Sequence, residues 1–171
     1  MKTTQNFGLL FVLLLICQIM LCNFANLGSL VMLTLLPAMI LCIPTYVGTA
    51  TCMIAAFACG LATDWLAEGL LGLNAIALVP VAASRKWLIR IFLGEDIIAR
   101  KDSFSVRKNG LGKVTSALLS STMLFLAIYI FFDGAGTRPF WFCLAKFAIS
   151  LACNWLLGLL VIRTLTTDDR K

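Results

Sequence analysis

The stretch that decides the fold is 46-YVGTATCMIAAFACGLATDWLAEGLLGLN-74, an apolar run rich in small residues that ends in two carboxylates and a glycine-spaced turn. At helical spacing, small residues recur every four positions on one face of this run. We call this face the small-residue row; it consists of Gly48, Cys52, Ala56, Gly60 and Asp64. Small side chains let a second helix approach closely, and close approach is a main source of helix association in lipid. The row therefore predicts a helix-packing face.

Two questions about the row stay open from its residues alone. Asp64 either makes a polar contact inside a helix bundle or caps the interface end of its helix among solvated headgroups, because a carboxylate is costly in lipid. The row itself packs either within the chain or against the single helix of a partner protein. Both alternatives give the same spacing, so the choice between them depends on the tertiary structure.

The composition is that of an integral membrane protein. Of the 171 residues, 61% are hydrophobic, whereas soluble domains are about 45–50% apolar. Lys and Arg number 14, against 8 Asp and Glu. In so apolar a chain, this basic balance indicates membrane topology and anionic lipid rather than nucleic acid. We expect a single membrane domain over residues 1–171, with lipids and no nucleic acid among its partners.

The residues that metal and acid–base chemistry require are scarce. The chain has no histidine, and its seven cysteines never take a zinc-like or iron–sulfur-like spacing. It also lacks a GxSxG nucleophile turn, a phosphate-binding glycine loop and the Asp-x3-Asp carboxylate pair that membrane phosphotransferases use. The sequence therefore predicts a non-enzymatic protein that uses neither a metal nor a cofactor.

Six apolar runs predict a bundle of six transmembrane helices, since each run approaches the roughly 20 residues that span a bilayer. The predicted spans are residues 7–22, 27–43, 46–63, 69–84, 114–132 and 140–162. Pro37 lies inside the second span and predicts a kink there. A basic loop, 85–113, and a charged tail, 163–171, complete the chain.

The basic residues are distributed unevenly between the two sides of such a bundle. Twelve of the 14 Lys and Arg residues fall on the side of the two termini and the basic loop, and the positive-inside rule places that side in the cytoplasm. Arg85, Lys86 and Arg90 are predicted to anchor the fourth helix at the cytoplasmic interface. The basic loop either holds this topology against anionic headgroups or docks a partner protein.

The sixth span carries a polar seam, in which Lys146, Ser150 and Asn154 follow one another at four-residue spacing. Lys146 lies near the outer end of its helix, so it either reaches up to the headgroups or meets Asp64 or Glu68 in the bundle. We therefore expect polar contacts at membrane depth. The residues predicted to make them are Asp64, Glu68, Asn74, Lys146, Ser150 and Asn154.

One segment also resembles a known family. The residues that carry the resemblance are Gly60, Leu61 and Asp64 in a GLxxD motif, then Gly69, Gly72 and Asn74, and finally Arg85. Gln18 in the first span, the total length and the basic loop before the last two helices fit the same pattern. In these features the chain resembles the MreD family of rod-shape-determining membrane proteins, and most closely its Bacteroidota-type members.

The resemblance implies a non-enzymatic component of the cell-elongation machinery in the bacterial cytoplasmic membrane. Such a protein works beside MreC, a single-span membrane protein, and indirectly with MreB, RodA and the elongation transpeptidase PBP2. The six-helix arrangement of that family is similar to the substrate-binding subunits of energy-coupling-factor vitamin transporters. The alternative function is therefore a transporter subunit with an outward-facing pocket lined by Asp64, Asn74 and Lys146, although the first span has no convincing AxxxA docking motif.

Overall fold

The computed structural model describes residues 3–24, 31–68, 71–94, 110–134 and 139–167. Within these ranges every regular element is helical. The described residues form six α-helices, which are α1 (Thr3–Phe24), α2 (Leu36–Cys42), α3 (Thr49–Thr63), α4 (Leu73–Leu93), α5 (Leu111–Gly134) and α6 (Phe140–Thr167). In addition, a π-helical turn, Asp64–Glu68, continues α3 without a break.

Three stretches of these helices are long and apolar enough to cross a membrane. They are Thr49–Ala67, Gly112–Gly134 and Phe140–Leu160. A bilayer core about 30 Å thick requires about 20 helical residues, and these stretches contain 19, 23 and 21. Many large apolar side chains on them point away from the protein, among them Ile54, Phe131 and Leu156. An exposed apolar surface of this kind is suited to lipid.

The short helix α2 forms the centre of the fold. Helices α3, α4, α5 and α6 pack against one another in chain order, and α2 contacts every one of the five longer helices. Its residues Leu36 to Leu41 are all buried. Around them lies the main apolar core, to which α1, α3, α4 and α5 contribute. The protein therefore surrounds a seven-residue helix with five long ones.

The prediction of a helix across residues 27–43 is wrong for the described part of that span. Only Leu36–Cys42 is helical, and residues 31–35 form no regular structure. Pro37 lies in the first turn of α2 instead of kinking a longer helix. A proline there lacks only an N–H that has no partner anyway, whereas inside a helix it would clash with the preceding turn. Residues 25–30 lie outside the described ranges.

The other predicted spans overlap observed helices, with different ends. Helix α1 includes 7–22, α5 includes 114–132 and α6 includes 140–162. The largest difference is in α4, which begins four residues later than predicted and extends through the basic cluster to Leu93. It begins there because Gly72 takes a φ of 101°, a conformation that glycine adopts readily. Most of the basic loop, 95–109, and residues 168–171 of the tail lie outside the described ranges.

Candidate functional site: buried polar side chains at helix ends

The irregular segment 31–35 is bonded to the polar seam of α6. The backbone N–H of Met32 donates to Ser150 Oγ at 2.9 Å, and the N–H of Thr34 donates to Asn154 Oδ1 at 2.6 Å. Asn154 Nδ2 donates in return to the carbonyl of Met32 at 2.8 Å. Side chains four apart on α6 thus bond backbone groups two apart on the segment.

The other side of this segment is held by α1. Gln18 Oε1 accepts the N–H of Leu35 at 2.5 Å, and Gln18 is only 1% exposed. The N–H of Leu36 donates to the hydroxyl of Thr34 at 3.2 Å. Irregular backbone is tolerated at membrane depth only where protein groups satisfy it. Gln18, Ser150 and Asn154 together provide the hydrogen bonds that the backbone of this segment needs. The sequence drew attention to Gln18 only through the family pattern, although a lone amide in an apolar helix is itself a signal.

Asp64 faces inward and caps α4. Its side chain is fully buried. Its carboxylate accepts the backbone N–H groups of Gly72 at 2.8 Å, Asn74 at 3.0 Å and Ala75 at 3.4 Å. The amide of Asn74 also donates to Asp64 Oδ1, at 2.9 Å. The first N–H groups of a helix have no partner within it, and the helix dipole favours a negative charge there. Asp64 therefore supplies the hydrogen bonds that start α4.

The small-residue row lies inside the chain, against α4. Cys52, Ala56 and Gly60 are buried, while Gly48 at the helix start is exposed. A Cβ atom added to Gly60 would lie 2.5 Å from the Cα of Ala75, closer than any real contact. This geometry corrects the alternative in which the row docks a partner, because α4 already occupies the buried part of that face.

Arg85, predicted as an anchor at the cytoplasmic interface, is buried inside the protein at the end of α2. It is only 1% exposed, and its guanidinium donates from Nη2 to the carbonyls of Leu41 and Ile43. Nη1 lies 4.0 Å from the sulfur of Cys52. The last carbonyls of a helix lack partners and carry partial negative charge, so a cation is favoured beside them. Of the other two predicted anchors, Arg90 is exposed and Lys86 is half-buried.

Lys146 pairs with Asp133. The sequence had suggested a different partner, Asp64 or Glu68. Its Nζ atom lies 2.7 Å from Asp133 Oδ2 and 5.8 Å from the centre of the Tyr129 ring. The pairing follows from chain order, because the end of α5 and the start of α6 are adjacent in an antiparallel hairpin. The oxygens of Asp64 are already occupied by α4. The side chain of Glu68 lies outside the described part of the structure.

Most of these buried polar groups are bonded to backbone. In the described ranges, no three His, Cys, Asp or Glu residues lie together as a metal site would require. Two buried polar atoms there have no hydrogen-bond partner, Asn74 Oδ1 and Arg85 Nε. The other side-chain polar atom of Asn74 donates to the Asp64 carboxylate, and Nη2 of Arg85 donates to carbonyls at the end of α2. Asp64 and Arg85 therefore cap helix ends, and Lys146 forms an ion pair with Asp133. Side chains of α1 and α6 supply hydrogen bonds to the backbone of segment 31–35.

The helices and their apolar outer surface define the class of the molecule, which is an all-α membrane protein. Comparison of the chain with protein-family models, with curated proteins and with solved structures finds no match.

Proposed function

We propose that this protein is a non-enzymatic scaffold of the bacterial cell-elongation complex. In this arrangement the chain crosses the cytoplasmic membrane six times, and the second crossing is made by segment 31–35 together with the short helix α2. Both termini and the basic loop lie inside, and the protein binds MreC. Through MreC it is connected to MreB, RodA and PBP2, and it contacts membrane lipids through its apolar surface. The starting point is the family resemblance, whose residues Gly60, Asp64, Gly72 and Asn74 all meet at the junction of α3 with α4.

The observation that carries the scaffold function is how the buried polar side chains are used. Gln18, Ser150, Asn154 and Asp64 bond to the protein's own backbone. Groups used in this way fix a shape and leave little bonding capacity for a ligand. A helix bundle with an apolar exterior offers a membrane partner a surface on which to pack.

The transporter alternative is less well supported by the same contacts. A vitamin-type subunit would use Asp64, Asn74 and Lys146 together in one pocket. Asp64 and Asn74 are bonded to each other in the cap of α4, whereas Lys146 is bonded to Asp133 at the hairpin of α5 and α6. The likeness to energy-coupling-factor subunits therefore remains a proposal about fold, and a shared fold does not transfer a ligand.

Crosslinking followed by mass spectrometry tests the scaffold function directly. The tagged protein is extracted in mild detergent from the cells that naturally produce it. We expect a single-span MreC-type protein among the crosslinked partners and rounded cells on depletion. An unrelated multi-span protein with the same tag serves as the control. Recovery of an energising ATPase module or a retained vitamin, without the MreC-type protein, would support the transporter instead.

The proposed orientation has its own test. A reporter enzyme active only in the cytoplasm, fused within 95–109, should be active, and the same reporter fused within 135–138 should be silent. The reverse pattern would remove the basis for placing the basic loop inside, and the scaffold arrangement would have to be redrawn.

A further inference from the structure

We propose that one face of α4 binds an anionic phospholipid at the end of the bundle where the basic residues lie. The exposed side chains of this helix are Ile76, Ala83, Trp87, Arg90 and Ile91. At about 100° per residue they fall within one arc of about 100° on the helix surface, and the half-buried Lys86 lies at its edge. Helices α2, α3 and α5 pack against α4. The arc, which we call the lipid face, is the side of α4 that these helices leave uncovered.

Basic and apolar side chains lie side by side on the lipid face. Lys86 and Arg90, which we call the basic pair, are four residues apart and are therefore neighbours on the helix surface. Trp87 is 63% exposed and Ile91 is 52% exposed, and they form the adjacent column. Arg85, the third basic residue of this cluster, is turned inward and donates to carbonyls at the end of α2. Two cations thus lie beside an exposed indole, a side chain suited to the level of lipid headgroups.

A line of exposed apolar residues continues from the basic pair toward the start of α4. Ile76, Ala83 and Trp87 lie close to one line along the helix, and Ala83 is the smallest of the three. Its methyl group leaves a shallow step between two bulky side chains. A phosphate held by the basic pair would place the acyl chains of the same lipid along this line, with Ala83 about 10 Å from Arg90 along the helix axis. The lipid face therefore offers separate surfaces to a headgroup and to its acyl chains.

The distribution of charge favours an anionic headgroup. In the described ranges the acidic residues all lie at the opposite end of the bundle, where Asp64 and Glu68 follow α3 and Asp133 is near the end of α5. Asn74, which is bonded to Asp64, precedes Lys86 by 12 residues, or about 18 Å of helix. This distance is about twice the Debye length at physiological ionic strength. Over the whole chain, the side with both termini and the basic loop carries 12 basic and 5 acidic residues. Phosphatidylglycerol complements this charge, whereas phosphatidylcholine brings a cation of its own close to the basic pair.

The test is a titration of the full-length protein in detergent with phosphatidylglycerol or phosphatidylcholine, in which native mass spectrometry measures the Kd of the first bound lipid. Lys86→Gln/Arg90→Gln removes the basic pair. Arg100→Gln/Lys101→Gln is the matched control, because it removes the same charge from the basic loop on the same side of the chain. Protein in detergent has no inner or outer side and no partner, so the result is independent of the proposed orientation and of MreC.

We expect the wild type to bind phosphatidylglycerol about thirtyfold more tightly than phosphatidylcholine, because each basic residue near a headgroup contributes a factor of about five. Lys86→Gln/Arg90→Gln should bind the two lipids equally, whereas the loop control should keep the preference. The site is refuted if the wild type shows no preference, if the α4 variant keeps it, or if both double variants lose it to the same extent. Should the α4 variant fail to fold, Arg90→Gln decides: a loss of about fivefold in the preference supports the site, and an unchanged preference overturns it.

Discussion

Asp64 and Arg85 are two buried charges of opposite sign that perform the same task at opposite kinds of helix end. Asp64 accepts N–H groups at the start of α4, and Arg85 donates to the last carbonyls of α2. In both places the sign of the charge opposes the partial charge of the helix end. The partners of Asp64 lie 8 to 11 residues along the chain. Those of Arg85 lie 42 and 44 residues away.

The difference between the two caps shows how far sequence reasoning extends into an apolar bundle. Asp64 is at the end of the small-residue row and nine residues before Leu73, the first residue of the helix that it caps, so a pattern in one stretch indicates its environment. Arg85 lies in a basic cluster beside Lys86 and Trp87, which is the usual composition of an interface anchor. Only the position of α2, brought in from another part of the chain, gives Arg85 its buried partners.

The most disruptive substitution should be Asp64→Ala. It leaves the N–H groups of Gly72, Asn74 and Ala75 without their acceptor, and those of Asn74 and Ala75 are buried. At about 1–3 kcal/mol for each unsatisfied buried group, partly relieved by relaxation, we expect a loss of about 3–5 kcal/mol. Thermal or denaturant unfolding in detergent measures it. The half-buried Asp133→Ala is the control, and an equal loss in both variants would mean that Asp64 is not a structural cap.

Gly60→Ala tests how closely α3 packs against α4 at Gly60. The new Cβ would lie 2.5 Å from the Cα and 2.6 Å from the backbone N of Ala75, and backbone cannot move aside as a flexible side chain can. We expect a loss of about 2–3 kcal/mol in the free energy of unfolding. Gly48→Ala on the same helix is the matched control, with its nearest neighbour at 3.8 Å. If both variants are equally stable, α3 and α4 are not in close contact at Gly60.

Arg85→Met tests the cap that Arg85 provides at the end of α2. It leaves the carbonyls of Leu41 and Ile43 without a donor, but it also removes a buried charge. Because these effects oppose each other, we expect a net loss of about 2 kcal/mol, smaller than for Asp64→Ala. Arg90→Met on the exposed face of the same helix is the control. A loss no greater than that of the control would return Arg85 to the role of interface anchor.

The smallest effect concerns the ion pair. A double-mutant cycle on Asp133→Asn and Lys146→Gln should give a coupling free energy of about 1 kcal/mol, because the pair is only partly buried. The cycle on Asp64→Asn and Lys146→Gln should give strictly additive losses. Coupling between Asp64 and Lys146 equal to that between Asp133 and Lys146 would contradict the observed pairing and revive a shared polar pocket.

Sequence reasoning was strongest where a single helix supplied the information. The small-residue row and the buried contacts of Ser150 and Asn154 follow from four-residue spacing alone, because a helix places such residues on one face. The spacing did not say what Ser150 and Asn154 would bond. Their partners are backbone groups of the segment 31–35, which had been predicted to be helical because it lies within the largely apolar run 27–43, whose length approaches that of a membrane span.

The sequence by itself determined that this is an all-helical membrane protein, with a narrow third helix that ends in a carboxylate. Hydropathy and helical period are local properties, and a helix in lipid satisfies its own backbone without help from the rest of the chain. Only the tertiary structure decided where the second helix breaks, what Arg85 caps and which carboxylate meets Lys146. Each of these depends on which helices are neighbours. In an apolar interior, non-helical backbone or a charged side chain is tolerated only when other groups supply its hydrogen bonds, and here those groups are distant in sequence.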